Sequence, residues 1–226
     1  MPVGTLINVA TVLIGSTLGL LLRRRFPQAI QAIIFQSVGL ATLVLGVQMA
    51  LEGENFLVLI FSLIIGGIVG ELLHLDVWVE SLATTLKDKI HIGEATFVEG
   101  LITAFLLFCV GSMTIVGALN EGLNADRTLL LTKSLLDGFT SIALASVYGV
   151  GVLFAVVPLF LVQGGLTLLA GQFQGLFSPL LINGLTAVGG VLILGIGLTL
   201  LELKAIKTTN LLPSLVVVVI LTLLTA

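Results

Sequence analysis

The feature that most constrains this chain is a succession of apolar runs, each about as long as a bilayer is thick. A helix needs about 20 apolar residues to cross a hydrocarbon layer of roughly 30 Å. Inside such a layer every backbone polar group must be satisfied within the protein, so runs of this length can span only as helices. Eight runs are readable: Val3–Leu22, Ile33–Leu51, Phe56–Leu73, Thr96–Leu119, Thr128–Val147, Gly151–Ala170, Pro179–Leu201 and Leu211–Leu224. Between the third and fourth lies Leu75–Ile92, too charged to span. Its Leu75, Val79, Leu82 and Leu86 recur at helical spacing with Trp78 near the start, which predicts an amphipathic helix in the membrane interface. The chain is 58% hydrophobic and 9% charged, where a soluble domain has about 25% charged residues. The prediction is an all-α polytopic membrane protein of about eight transmembrane helices in one domain. The first run is followed by Arg23, Arg24 and Arg25 rather than a small-residue cleavage site, so no cleavable signal peptide is predicted. The single cysteine, Cys109, excludes an intrachain disulfide and reads as a packing residue.

The basic residues set an orientation. With the N-terminus outside, Arg23, Arg24, Arg25, Lys87, Lys89, Lys204 and Lys207 fall on inside loops and only Arg127 outside. That asymmetry predicts a multi-pass protein of the bacterial inner membrane with both termini extracytoplasmic.

An internal repeat organises the runs. Gly4 and the pair Gly15-Ser16 match Gly100 and Gly111-Ser112, displaced by 96 residues, and Gly66-Gly67 match Gly164-Gly165, displaced by 98. Leu6-Ile7-Asn8, Thr11 and Gly15 match Leu181-Ile182-Asn183, Thr186 and Gly190, displaced by 175. Three runs per unit is an odd number, so a second unit enters the membrane from the opposite side. The expectation is an inverted three-helix repeat, residues 3–73 and 96–170, plus two extra helices at 179–224. Secondary transporters are commonly built this way, with the site near the midplane at the repeat interface.

The costly residues lie in the fifth run. Lys133 and Asp137 are four apart, on one helix face. Asp137 sits roughly 13 Å along the helix, near mid-bilayer, where a charge costs at least about 2.5 kcal/mol. Asp137 is the candidate proton or cation site; the alternative is a mutually neutralised pair that locks helices together. In the fourth run Gly111-Ser112-Met113-Thr114 combines small and hydroxyl residues, with Ser16 as repeat mate, and a Gly-Ser pair is a place where helices kink or unwind. Unwinding would free backbone groups for a ligand; close packing through small residues is the alternative. Asn8 and Asn183 are equivalent by the repeat, while Gln36, Gln48 and Gln163 read as interhelical hydrogen-bonding amides. Glu71 and Glu99 are gate candidates at run ends, and Glu121 and Asp126 could line an outer vestibule. No hydrolase, kinase or phosphate-loop motif is present, and His74 and His91 lack metal-ligand spacing, so neither enzyme activity, cofactor nor metal is expected.

Over nearly its whole length the chain resembles the YqgA-like bacterial membrane proteins, the domain of unknown function 554 family. The resemblance is carried by GTLINVATVLIGSTLG (Gly4–Gly19), CVGSMTIVGALNEGL (Cys109–Leu123) and KSLLDGFTSIALAS (Lys133–Ser146). It implies a transport class and carries over no substrate and no site residue. The reading is a secondary transporter or uniporter for a small solute or ion, with the lipid bilayer as partner, a homodimer through small-residue faces, and no nucleic acid. A passive channel, or a scaffold or signalling partner with a structural Lys133–Asp137 pair, stands beside it.

Overall fold

The computed structural model describes residues 2–23, 27–79, 81, 96–173 and 178–225. Arg24, Arg25, Lys87, Lys89 and His91 lie outside the described residues, as does most of the predicted interfacial helix, which is helical at 75–79. Among the described residues there is no strand. The helices are α1 (Val3–Arg23), α2 (Gln28–Ala50), α3 (Phe56–Leu72), α4 (Phe97–Cys109), α5 (Ser112–Asn124), α6 (Thr128–Tyr148), α7 (Val150–Phe154), α8 (Val156–Leu168), α9 (Ala170–Phe173), α10 (Pro179–Leu200), α11 (Thr208–Leu211) and α12 (Ser214–Thr225).

Local chemistry sets the helix ends. The Asn55 side chain accepts the Val58 N–H at 3.2 Å to start α3, and Ser178 does the same for Leu181 at 3.2 Å ahead of Pro179 in α10. Both satisfy donors that a helix leaves orphaned in its first turn. Ahead of α6 the Asp126 carboxylate accepts the Thr128 N–H at 3.0 Å and its hydroxyl at 2.7 Å, which holds that carboxyl below the usual range. The turn from α6 to α7 falls on Gly149 at φ 78°, where a side chain would be strained. Among the described residues four helices are long and apolar enough to cross a membrane: Val3–Arg23, Thr128–Tyr148, Val150–Leu168 and Pro179–Thr199. A fifth span arises if α4 and α5, bent by 53° at their junction, count as one. Shorter apolar helices occupy Gln36–Ala50, Phe56–Leu72 and Thr208–Leu224.

The chain divides into two compact units that do not follow chain order: residues 1–34 with 99–177, and residues 35–98 with 178–226. In the first unit α1 and α6 lie parallel, because Gly4 abuts Leu130, Gly15 abuts Gly138 and Ser141, and Gly19 abuts Ile142 and Ala145. A methyl group at Gly15 would collide with the Gly138 carbonyl and the Ser141 hydroxyl, so the two backbones approach as closely as small residues permit. Helix α5 lies along the same pair, with Gly117 against Leu130 and Gly122 against the Thr167 carbonyl of α8.

In the second unit α2 and α10 cross through Gly46 and Gly190, running antiparallel, since Gly197 meets Leu43 and Gly53 meets Ala187. Gly66 and Gly70 of α3 seat Ser214 and the Asn210 carbonyl.

Gly15→Leu is predicted to destabilise the detergent-solubilised protein by about 1–3 kcal/mol through overpacking. Gly165→Ala, at a position where a Cβ meets nothing within 4 Å, should leave the melting temperature unchanged or raise it. Paired thermal melts check both.

Candidate functional site

Helix α6 buries one polar stripe, Lys133, Ser134, Asp137 and Ser141, within an otherwise apolar segment. The Lys133 ammonium donates to both Asp137 oxygens, at 2.8 Å to Oδ1 and 2.6 Å to Oδ2, with the two side chains only 6% and 8% exposed. It also lies 5.9 Å from the centroid of the Phe108 ring, which places the cation beside the end of α4. Two charges withdrawn from water lose several kcal/mol of hydration each, so the pair needs good geometry and further hydrogen bonds.

Those come from two other helices. Asn8 of α1, wholly buried, donates its Nδ2 to Asp137 Oδ2 at 2.9 Å and to Gln163 Oε1 of α8 at 3.0 Å. Charge fixes both amides. The ionised carboxylate only accepts, so Asn8 must present its NH2 group to it, and the second hydrogen of that group obliges Gln163 to present oxygen. The outer ends, Asn8 Oδ1 and Gln163 Nε2, have no hydrogen-bond partner, and neither does the buried Thr5 Oγ1 one turn earlier on α1.

Beside this cluster the fourth run breaks. Gly111 is extended (φ −158°, ψ 152°) and caps α5, accepting the N–H groups of Thr114 at 3.0 Å and Ile115 at 3.2 Å. The break strands carbonyls at the end of α4, and the Thr114 hydroxyl donates to one of them, Phe108 O, at 2.9 Å. A Cβ at Gly111 would meet nothing within 4 Å. Toward the α1 N-terminus, the Glu121 carboxylate accepts the Gly4 N–H at 2.9 and 3.2 Å and the Arg127 Nε at 3.0 Å.

The structure thus brings Asp137, Lys133 and Asn8 together and sets Gly111 and Thr114 at the adjoining break. Ser16 is buried on α1 without a hydrogen-bond partner for its hydroxyl. The side chain of Ser112 lies outside the described side chains; its backbone opens α5. Glu99 lies in the first turn of α4, at the end remote from Phe108. Asn183 belongs to the second unit, where its Nδ2 donates to Glu54 Oε1 at 3.0 Å, as Asn8 does to Asp137.

Glu71 also belongs to the second unit. It accepts from Lys207 Nζ and Asn210 Nδ2, both at 2.7 Å, while Asn210 Oδ1 accepts the Asp76 N–H at 2.7 Å. This latch ties the end of α3 to α11. The Glu71 carboxylate raises the Lys207 pKa, and the Val77 N–H lowers that of Asp76.

Sequence reasoning assigned Gln163 only to interhelical bonding, and it missed Thr5. The available signal was the buried stripe of α1, where Thr5, Asn8, Val12, Gly15, Ser16 and Gly19 recur at helical spacing with mostly small or polar side chains.

These features define an all-helical protein with helices of membrane-crossing length and a charged, amide-lined cluster buried among three of them. The chain belongs to the family described as "Protein of unknown function (DUF554)", whose model matches residues 3–223. It is 38% identical over 218 residues to the "Uncharacterized membrane protein YdfK" of Bacillus subtilis (strain 168), covering 95% of this chain and 93% of that protein. It is 30% identical over 220 residues to the "Uncharacterized protein YqgA" of Escherichia coli (strain K12), covering 95% and 94%. No solved structure matches the chain.

Lys133→Met alone strands a buried carboxylate and is predicted to cost about 3–5 kcal/mol, whereas Lys133→Met with Asp137→Leu costs less than the single change. Chemical denaturation in detergent checks the order. The latch should be pH-tolerant. A raised lysine keeps its contribution below about pH 10.4 and loses it as pH rises through its folded value; a lowered aspartate keeps its contribution above about pH 3.9 and loses it only in stronger acid. Hydrogen exchange at the end of α3 should therefore be flat in protection from about pH 4 to 10.

Proposed function

We propose that the chain is a multi-pass inner-membrane transport protein, a secondary transporter or uniporter, whose site is the Lys133–Asp137–Asn8–Gln163 cluster. One observation carries this reading: a charge pair buried among three helices, with an amide acceptor and an amide donor beside it that no protein group satisfies. Intramembrane ionisable residues mark solute and ion pathways more often than they mark simple packing.

Four observations support the architecture that such a role needs. Counting the four full-length spans, the bent α4–α5 pair and the three shorter apolar helices each as one pass gives the eight that this reading needs. The parallel run of α1 and α6 requires an odd number of passes between them, which α2, α3 and the bent α4–α5 pair provide. The cluster draws Asn8 from residues 3–73 and Asp137 and Gln163 from residues 96–170, the two segments of the expected inverted repeat, which supports a site at their contact. The bend at Gly111, next to Phe108 and the Lys133 ammonium, is a hinge point of the kind that broken transporter helices use. Both termini lie outside, following the positive-inside rule.

A second reading is a membrane scaffold in which Lys133–Asp137 is a lock. The short, nearly solvent-free contact between the two side chains favours it. Reconstitution separates the two. Lys133→Gln with Asp137→Asn keeps polar side chains at both positions while removing both charges and the charge-assisted bonds between them. The transport reading predicts solute flux in wild-type proteoliposomes and loss of at least about tenfold of it in this folded double variant, on the scale of charge-assisted hydrogen bonds lost from a buried site. Wild-type vesicles no more permeable than protein-free vesicles to any solute or ion tested would leave the scaffold.

A further inference from the structure

Resting on the transport reading, we infer that the cargo at this site is a small solute without net charge that carries a hydrogen-bond donor and acceptor side by side, such as a hydroxyl or carboxamide compound. The argument starts from charge. Among the described residues the buried charged side chains are Glu121, Lys133 and Asp137. Glu121 is matched by Arg127, and Lys133 by Asp137. The site is therefore neutral as it stands. A guest with net charge would enter apolar surroundings with no uncompensated counter-charge to meet it, at a cost of several kcal/mol.

What the site does offer is hydrogen bonding. Asn8 Oδ1 is an acceptor whose amide partner is held by Asp137 and Gln163, so it cannot turn away without breaking two bonds. Gln163 Nε2 is a donor fixed by the same chain, and Thr5 Oγ1 can do either. Asn8 and Gln163 are joined by a 3.0 Å bond, so their free ends belong to one contact between α1 and α8. Thr5 joins the same contact, since a Cβ on Gly164 would lie 3.7 Å from Thr5 Cγ2. Side-chain bulk is missing on the α8 side: a Cβ at Gly164 would meet only that methyl, and one at Gly165 would meet nothing within 4 Å. Three unsatisfied polar atoms at one helix contact each cost about 1–3 kcal/mol if left unmatched, which a packing role does not justify. A free acceptor and a free donor at the two ends of one bonded amide pair suit a carboxamide or a hydroxyl. The Lys133–Asp137 pair then serves to hold Asn8 in its orientation, as a positioning element.

The test uses the full chain in proteoliposomes, with urea and glycerol as neutral probes and potassium and chloride as charged ones. Light scattering reports vesicle swelling, and a potential-sensitive dye reports charge movement. The expected result is entry of urea or glycerol faster than into protein-free vesicles, with no potential generated. Thr5→Val and Gln163→Met, which keep side-chain volume, should slow that entry by about fivefold, the size of one hydrogen bond, and Thr5→Ser should restore it. Potassium or chloride current without neutral flux would overturn the cargo class while leaving the transport reading standing. Neutral flux that ignores both substitutions would overturn the site. Movement of none of the probes through folded wild-type protein would remove the cargo inference and the transport reading together.

Discussion

A lysine ammonium and an aspartate carboxylate taken out of water on one turn of α6 are the constraint on which the first unit depends. Attraction between the two recovers only part of their lost hydration, and a carboxylate with two oxygens has capacity for more than one donor. Asn8 supplies the extra donor from α1, and Gln163 fixes Asn8 from α8. Three helices are thus tied at one point by a chain of bonds whose direction is dictated by the charge at its head. Register follows: sliding α1 by one residue would turn Asn8 away from Asp137 and put Ile7 or Val9 opposite a buried ion.

Small residues make that tie possible. Hydrogen bonds between side chains as short as those of Asn and Asp require helix axes that approach closely. Gly15 and Gly19 on α1, facing Gly138 and Ala145 on α6, allow it. The second unit uses the same device with different polar chemistry. Gly46 and Gly190 bring α2 and α10 together, Gly70 admits the Asn210 carbonyl, and Glu71, Lys207 and Asn210 close the contact at its exposed edge. The first unit thus has its Lys133–Asp137 pair inside, and the second has its Glu71–Lys207 pair at the rim.

Much of this is legible in the sequence. The length of the apolar runs gave the helices, the i, i+4 spacing gave the Lys133–Asp137 pair, and the Gly111-Ser112 step gave the break. What could not be read was direction across space. An amide in an apolar run, such as Gln163, looks the same whether it faces lipid, a neighbour or a site. Helical spacing can mark the small and polar face of α1 but not which helix meets it, so the grouping of α1 with residues 99–177 was invisible. The match of Asn8 with Asn183 identified two amides that each donate to a carboxylate, Asp137 in one unit and Glu54 in the other. The acceptors sit in unrelated local contexts, a helix interior and a loop, and no alignment of the donors points to them. Thr114 illustrates a further blind spot: its hydroxyl, conspicuous beside a predicted break, is occupied by the Phe108 carbonyl that the break itself exposes.

The central claim is that the contact between α1 and α8 opens to water in the working protein although its residues are fully buried in this conformation. The sole cysteine, Cys109, is itself buried and can be removed as Cys109→Ala. Introducing Thr5→Cys in that background and exposing inside-out and right-side-out vesicles to a small, membrane-impermeant thiol reagent measures the claim directly. The account predicts modification of the new thiol in folded protein, slowed when the site is occupied by cargo. A thiol inert from both faces, at reagent levels that label an exposed control cysteine, would contradict it.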